Sequence, residues 1–338
     1  MSTDYDLWIQ SSLDEEDPWL DKGRRLSRRQ VASMEKQLAR DPANIEVRLS
    51  LLGYHALPDR DERYCELLEW FIENAPLRFF HTHSCAYNKS KSFQRCKKLW
   101  IQQVESNPGN TRILRNLAQF CKFAEPKTSV KYLKLAHEFE PNSEDISLEL
   151  SDMYKRIAED GSKTNARRAV LQMRKTVSIY EKTNPSIHSY FHQYVDTSLH
   201  EYAKLALEFG LLDDAEFFGN CLLEFKTLAS KRNGIPIAEN KYHYFRPNTR
   251  GYSIVGRVAL ARGDVEKAII SLWQMCDVQS SFFFEWGLAN DLLKAKQNKI
   301  VLEYLERLAA KEPGEERLEQ IQEWIKQIRK GRRPKLDS

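Results

Sequence analysis

Four prolines divide the first part of this chain at a near-constant interval. Asp41-Pro42, Ala75-Pro76, Asn107-Pro108 and Glu140-Pro141 place them 34, 32 and 33 residues apart. Each follows an amphipathic run such as RCKKLWIQQVESNP and precedes another such as NTRILRNLAQFCKF. Pro disfavours helical geometry in the residue before it, so each marks a helix end. Asn110, Thr111, Asn142 and Ser143 then offer side-chain oxygens to cap the next helix. A chain punctuated this way is expected to stack short helical units, each burying its apolar face on the next. Strand-like alternation of β-branched residues is nearly absent, so a sheet has little to be built from.

The C-terminal half carries a second marker. Ala203, Ala206, Gly210 and Ala215 are spaced three, four and five apart, and Gly256, Ala259, Gly263 and Ala268 repeat that spacing. Ala289, Leu292, Lys296 and Val301 keep it with bulkier side chains, and Ser84, Tyr87, Lys91 and Cys96 fit the same frame earlier. Small residues on consecutive helices let a pair close tightly. Gly210 and Gly263 fall where a helix ends in a left-handed residue. Asp213, Asp214 and Asp264 then begin the partner helix, at its positive dipole end.

These features resemble the tetratricopeptide repeat, whose helix–turn–helix unit has a small residue in helix A, Gly at the turn, Ala in helix B and a closing Pro. YSIVGRVALARGDVEKAIISLWQM is the best single match, and the resemblance extends over Ser27 to Arg329. RLSLLGYHAL, NPGNTRILRNLAQF, GYSIVGRVALARGDVEKA and EWIKQIRKGRRP also resemble a bacterial family of such repeat proteins. That likeness implies a bacterial origin and the repeat fold; it implies no activity. The expected fold is all-α, a right-handed superhelical solenoid of degenerate helix pairs. An acidic segment (1–26) precedes the repeats (27–329) and a basic tail (330–338) follows. The period stretches at 157–200, and two prolines, two glycines and several asparagines predict a loop insertion at 230–251.

Net charge is +4, from 52 basic and 48 acidic residues, too balanced to demand a nucleic-acid partner. The exception is KQIRKGRRPKLDS, with six basic residues against one Asp. The six cysteines (Cys65, Cys85, Cys96, Cys121, Cys221, Cys276) are scattered within apolar helical patterns, as expected of reduced thiols in a reducing compartment. MSTDYDLWIQSSLDEED has neither the basic start nor the apolar run of a signal peptide. No run approaches the roughly 18 apolar residues of a spanning helix. A cytoplasmic protein with no membrane contact is expected.

FFHTHSCAYN, residues 79–88, alternates His81, His83 and Cys85 like a metal site. On a helix, His81 and Cys85 share a face and His83 points away from it. Zinc needs three or four ligands, so no metal or other cofactor is expected. No phosphate-binding glycine loop, nucleophile elbow or dinucleotide fingerprint occurs, so no enzyme is expected either.

Two stretches stand out as partner surfaces. Arg112, Arg115, Asn116, Gln119 and Lys122 recur on one face of the helix after Pro108, with Arg78 and Asn88 extending the stripe from its neighbour. By the tetratricopeptide resemblance this helix A lines the concave groove, and its basic and amide groups could grip a peptide carboxylate by charge-assisted hydrogen bonds. KYHYFRP offers Tyr242, His243, Tyr244 and Arg246, aromatic and cationic in alternation. Phe284 and Trp286, beside Phe282 and Phe283, read as core. The expectation is a non-enzymatic scaffold binding a protein or peptide, acidic by complementarity, in the groove. The alternatives are a nucleic-acid-associated repeat protein using the tail and residues 241–250, or a regulatory sensor for a small anion or peptide.

Overall fold

The structure is a computed structural model that describes residues 18–56, 61–78, 91–159, 161–182, 190–233, 242–278, 284–311 and 314–336. Among the described residues every regular element is an α-helix. The chain divides into two compact units, 1–141 and 142–338.

The first unit contains α1 (Pro18–Arg24), α2 (Arg28–Arg40), α3 (Ile45–His55), α4 (Asp61–Asn74), α5 (Lys91–Ser106), α6 (Thr111–Cys121) and α7 (Pro126–Phe139). α2, α4, α5 and α7 each end with one residue between them and one of the four prolines. Asn44 and Asn110 cap the helices that follow, accepting the N–H of Val47 at 3.0 Å and of Ile113 at 3.2 Å. Each satisfies one of the donors a helix start leaves open. Leu49, Leu52, Leu67, Leu68 and Phe71 are fully buried at the centre, and the Phe93 and Phe120 rings stack 4.9 Å apart.

Residues 18–24 correct the expected acidic segment, because they form α1 and pack on α3. A Cβ on Gly23 would stand 2.1 Å from the Ser50 carbonyl oxygen, and one on Gly53 would stand 2.1 Å from that of Leu20. The two helices therefore meet backbone to backbone. Only glycine allows that approach, a contact between distant positions that local composition does not show.

The second unit contains α8 (Glu144–Ala158), α9 (Lys163–Lys182), α10 (Tyr190–Glu208), α11 (Leu212–Asn233), α12 (Tyr242–Ala261), α13 (Val265–Val278), α14 (Gly287–Lys294), α15 (Asn298–Ala309) and α16 (Glu315–Arg329). Ser143 caps α8. Each helix packs on its chain neighbour. α8, α10, α12 and α14 also touch in succession, and α13 touches α15. Two alternating layers of helices result, the packing of helix–turn–helix repeats of the tetratricopeptide type. The small-residue frame lies at the contacts: Ala203, Ala206, Ala215, Ala259, Ala268 and Ala289 are buried. A Cβ on Gly256 would meet Leu288 Cδ2 at 2.5 Å and Ser271 Cβ at 2.8 Å.

The turns repeat as closely as the contacts do. Gly210 and Gly263 have φ of 69° and 86°. Their N–H groups donate to Leu207 and Leu260, and the next residues, Leu211 and Asp264, donate five back to Ala206 and Ala259. That paired pattern satisfies the last carbonyls of α10 and α12. Lys296, at the matching position, adopts φ 63°; its N–H donates to Leu293 and that of Gln297 to Leu292, the same paired pattern.

The sequence-based loop at 230–251 is corrected at both ends. α11 runs on to Asn233, and α12 begins at Tyr242 with Pro247 inside it. Pro247 lies in the second turn, so the missing N–H costs one helical bond near the start of a 20-residue helix. Pro247 itself and the following Thr249 and Arg250 are buried, and tertiary packing overrides the local breaker signals. The tail is corrected too. Beyond α16, Pro334 and Leu336 are buried while Arg332, Arg333 and Lys335 are exposed. Leu336 joins the apolar cluster of Trp286, Trp324 and Ile328.

Candidate functional site

The α6 stripe holds the chain's own backbone. Asn116 is buried, not presented to a groove, and its Nδ2 donates to the carbonyls of Pro76 at 2.8 Å and Arg78 at 3.0 Å. Arg112 Nε donates to the Leu77 carbonyl at 3.2 Å. Ile113, Leu114, Leu117, Ala118, Phe120 and Cys121 bury so much of the helix circumference that position 116 falls inside. This corrects Asn116 as a partner-binding residue. Arg115, Gln119 and Lys122 are half-buried, Arg112 is exposed, and Lys122 is the C-cap residue, with its ammonium 5.9 Å from the Phe123 ring. Asn88, His81, His83 and Cys85 lie outside the described residues. Cys96 Sγ sits 3.8 Å from the Cys65 carbonyl and 4.0 Å from Glu69 Oε1, all buried or half-buried.

In the second unit, the polar face of α10 and α12 gathers charge around a buried histidine. Along α10, Asp196, Thr197, His200, Glu201 and Lys204 share one side; along α12, Arg246, Arg250, Ser253 and Arg257 do the same. Arg250 is 7% exposed; its Nη1 reaches Asp196 Oδ2 at 3.2 Å and Thr197 Oγ1 at 3.3 Å. Arg246 is exposed and stands 3.8 Å from the same carboxylate. Glu285 approaches from just before α14. Its Oε1 accepts from Ser253 Oγ at 3.4 Å and from the Gly287 N–H at 3.1 Å, and its Oε2 lies 3.6 Å from His200 Nε2. Arg257 Nε donates to Asp291 Oδ2 at 2.7 Å, and Lys294 to Oδ1 at 2.8 Å. Lys155 and Lys204 flank Glu201 at 3.7 and 3.2 Å. A Cβ on Gly287 would meet Glu285 Oε1 at 2.9 Å and Arg257 Nη1 at 3.2 Å, so glycine keeps space for both charged groups.

The electrostatics follow from burial. Burial, then the positive field of Arg250, Lys204, Arg257 and Arg246, pulls the His200 imidazolium down to about 2. Burial and Arg246 lower Arg250 to about 10, against the support of Asp196, Glu285 and Glu201. Burial alone would raise the carboxyl of Glu201, but Lys155 and Lys204 outweigh it and hold the group below its usual range. The Ser253, Glu285 and His200 order places the carboxylate between hydroxyl and imidazole. A nucleophile's base must touch the hydroxyl itself, and a neutral His200 this hard to protonate is not poised for proton transfer at neutral pH. Burial also raises the thiols of Cys121 and Cys221 to about 12, far from reactive thiolates.

Of the sequence-predicted residues here, Arg246 joins the face. Tyr242, His243 and Tyr244 lie in the first turn of α12, with side chains outside the described residues. His200, Arg250, Asp196, Glu285, Arg257 and Asp291 were not singled out. The signal was a stripe at helical spacing, Arg246, Arg250, Ser253 and Arg257, interrupted on paper by reading 230–251 as a loop. Among the described residues no group of three or more ligating side chains could hold a metal ion. Nor is any helix among them long and apolar enough to cross a membrane.

Fold and site together define a helical-repeat protein with a charged face on its first-layer helices. A family described as "wHTH-Hsp90_Na associated" matches residues 2–54, which hold α1, α2 and all but the last residue of α3. No curated protein matches the chain. Among solved structures, that of MamA is similar at 12% identity over 55% of this chain and 88% of its own, with a TM-score of 0.34. That of the APC/C hetero-tetramer Cut9-Hcn1 is similar at 15% identity over 97% of this chain and 56% of its own, with a TM-score of 0.33. The architecture therefore rests on the helix contacts and turns described above.

Proposed function

We propose that this protein is a non-enzymatic scaffold that binds an acidic peptide segment, or a C-terminal carboxylate, of a protein partner. The observation that carries this reading is the α10–α12 face. Arg246, Arg250, Arg257, Lys155, Lys204 and Lys294 converge there on Asp196, Glu201, Glu285 and Asp291, leaving an excess of cations. Buried pairs such as Arg250–Asp196 hold the face in shape, while exposed Arg246 and Lys204 are placed to meet a partner. Arg112, Arg115, Gln119 and Lys122 on α6 are a separate candidate contact of the first unit in this proposal.

Fluorescence anisotropy with a panel of labelled acidic peptides bearing free C-terminal carboxylates tests the reading. A charge-assisted hydrogen bond contributes about 1.5–3 kcal/mol, less where water screens it. Arg246→Ala or Lys204→Ala should weaken the best peptide by about tenfold with helicity unchanged. Equal affinity for both variants and wild type would remove this face from the interaction. Tight, steeply salt-dependent binding of a labelled 20-nucleotide single strand or duplex, in place of peptides, would favour nucleic acid as the partner.

A further inference from the structure

The end of the chain is held as a ligand is held. After Gly331, whose φ of 74° turns the backbone out of α16, residues 332–336 make no helix. Burial alternates along them: Arg333 out, Pro334 in, Lys335 out, Leu336 in. That is the period of an extended strand, yet no strand accompanies it among the described residues. The partner is one side chain on α14. Asn290 Oδ1 accepts the Leu336 N–H at 2.9 Å, and Asn290 Nδ2 donates to the Leu336 carbonyl at 2.6 Å. One amide thus reads both backbone groups of one residue, as a neighbouring strand would. The Leu336 side chain, 2% exposed, enters the cluster of Trp286, Leu293, Trp324 and Ile328.

We propose that Asn290 and this apolar cluster form a peptide-binding seat, occupied in cis by residues 332–336, that accepts an extended segment of the same chemistry from a partner. The fitting segment has a leucine-sized apolar residue whose own N–H and C=O meet Asn290. A proline stands two positions before it, and basic residues alternate outward. Two features support exchange. The bonds to Asn290 go to backbone, so the seat does not require this chain's particular residues. The side chains of Arg332, Arg333 and Lys335 are exposed, and the apolar anchors of the strap are Pro334 and Leu336. The seat and the acidic-partner face both use α14 but share no side chain, and their tests use different variants, so each reading can fail without the other.

The test uses the full chain and a labelled peptide of residues 332–338, Arg-Arg-Pro-Lys-Leu-Asp-Ser. A tethered segment competes at an effective concentration of about millimolar, so wild type should show no saturable binding of peptide at about 0.1 mM. Leu336→Asp expels the strap and should bind the peptide; a scrambled peptide should not bind. Adding Asn290→Ala to Leu336→Asp should weaken capture at least tenfold. Where Leu336→Asp loses its helical far-UV signal, Leu336→Ala takes its place in the same comparisons. A folded strap-released variant that ignores the peptide, or binds it equally without Asn290, overturns the proposal. So does a wild-type dimer, seen by size exclusion, that Leu336→Asp dissociates, because the exchange would then be between copies of this chain.

Discussion

His200 shows what one buried side chain imposes on the second unit. It is 6% exposed, neither ring nitrogen has a hydrogen-bond partner among the described residues, and Glu285 stands 3.6 Å away. Four cations face it, Arg246, Arg250 and Arg257 from α12 and Lys204 from its own helix, with the carboxylate of Glu285 on the other side. The folded imidazole protonates only near about 2, whereas an unfolded histidine does so near about 6.5. Between those values the unfolded chain binds the proton and the folded chain does not. Stability therefore falls as pH drops below about 6.5 and is retained above it. At pH 5 the loss from this residue is at most about 2 kcal/mol. Melting temperatures recorded from pH 7.5 to 5 should drop in wild type and drop distinctly less in His200→Gln, which stays neutral throughout. Parallel pH curves for the two proteins would show that His200 is not held neutral in the fold.

At the scale of the helix, starts and stops were legible wherever a local residue sets them. The proline interval, the Asn110 and Ser143 caps and the glycines at 210 and 263 are local codes, and each acts where it is written. The small-residue frame even aligned Lys296 with two glycines, and the structure gives it their left-handed backbone. What escaped depends on contacts between distant positions. α1 forms because Gly23 lets it lie on α3, Pro247 is carried inside α12 by packing, and Leu336 finds a cluster that includes the distant Trp286 and Leu293. The α6 stripe was legible as polar, but its side of the helix was not, because the 76–78 backbone that buries Asn116 is a tertiary neighbour. Lys296 also gives the prediction for this scale. A non-glycine residue in left-handed backbone costs about 1–2 kcal/mol, and glycine costs the unfolded chain about 0.5–1 kcal/mol in extra freedom. Lys296→Gly should raise stability by about 0.5–1 kcal/mol, read as a higher urea midpoint at unchanged slope. The converse change, Gly263→Ala, should lower it by a similar amount, since nothing lies within 4 Å of the new Cβ and only backbone strain acts. A Lys296→Gly midpoint equal to or below that of wild type would contradict the left-handed stop.

At the scale of the whole molecule, the substantial helix contacts inside each unit, among the described residues, join neighbours or next-but-one neighbours, so stability is assembled locally and need not be lost all at once. The Gly23–Gly53 crossing of α1 and α3 is the place to test this, because it can be broken without touching the second unit. In Gly53→Ala the new Cβ would sit 2.1 Å from the Leu20 carbonyl oxygen, a backbone atom that no rotamer change can move. Overpacking of this kind costs about 1–3 kcal/mol, and here the cheapest relief is for α1 to lift off α3. Hydrogen-exchange mass spectrometry should then show α1 and the end of α3 losing protection, with smaller losses through the rest of residues 61–141. Amides of α8 to α16 should exchange as in wild type. Urea unfolding should broaden as well, the first unit melting earlier while Trp286 and Trp324 report the second unit unchanged. If protection falls equally in both units, the protein unfolds as one cooperative body and the local assembly inferred from its contacts is wrong.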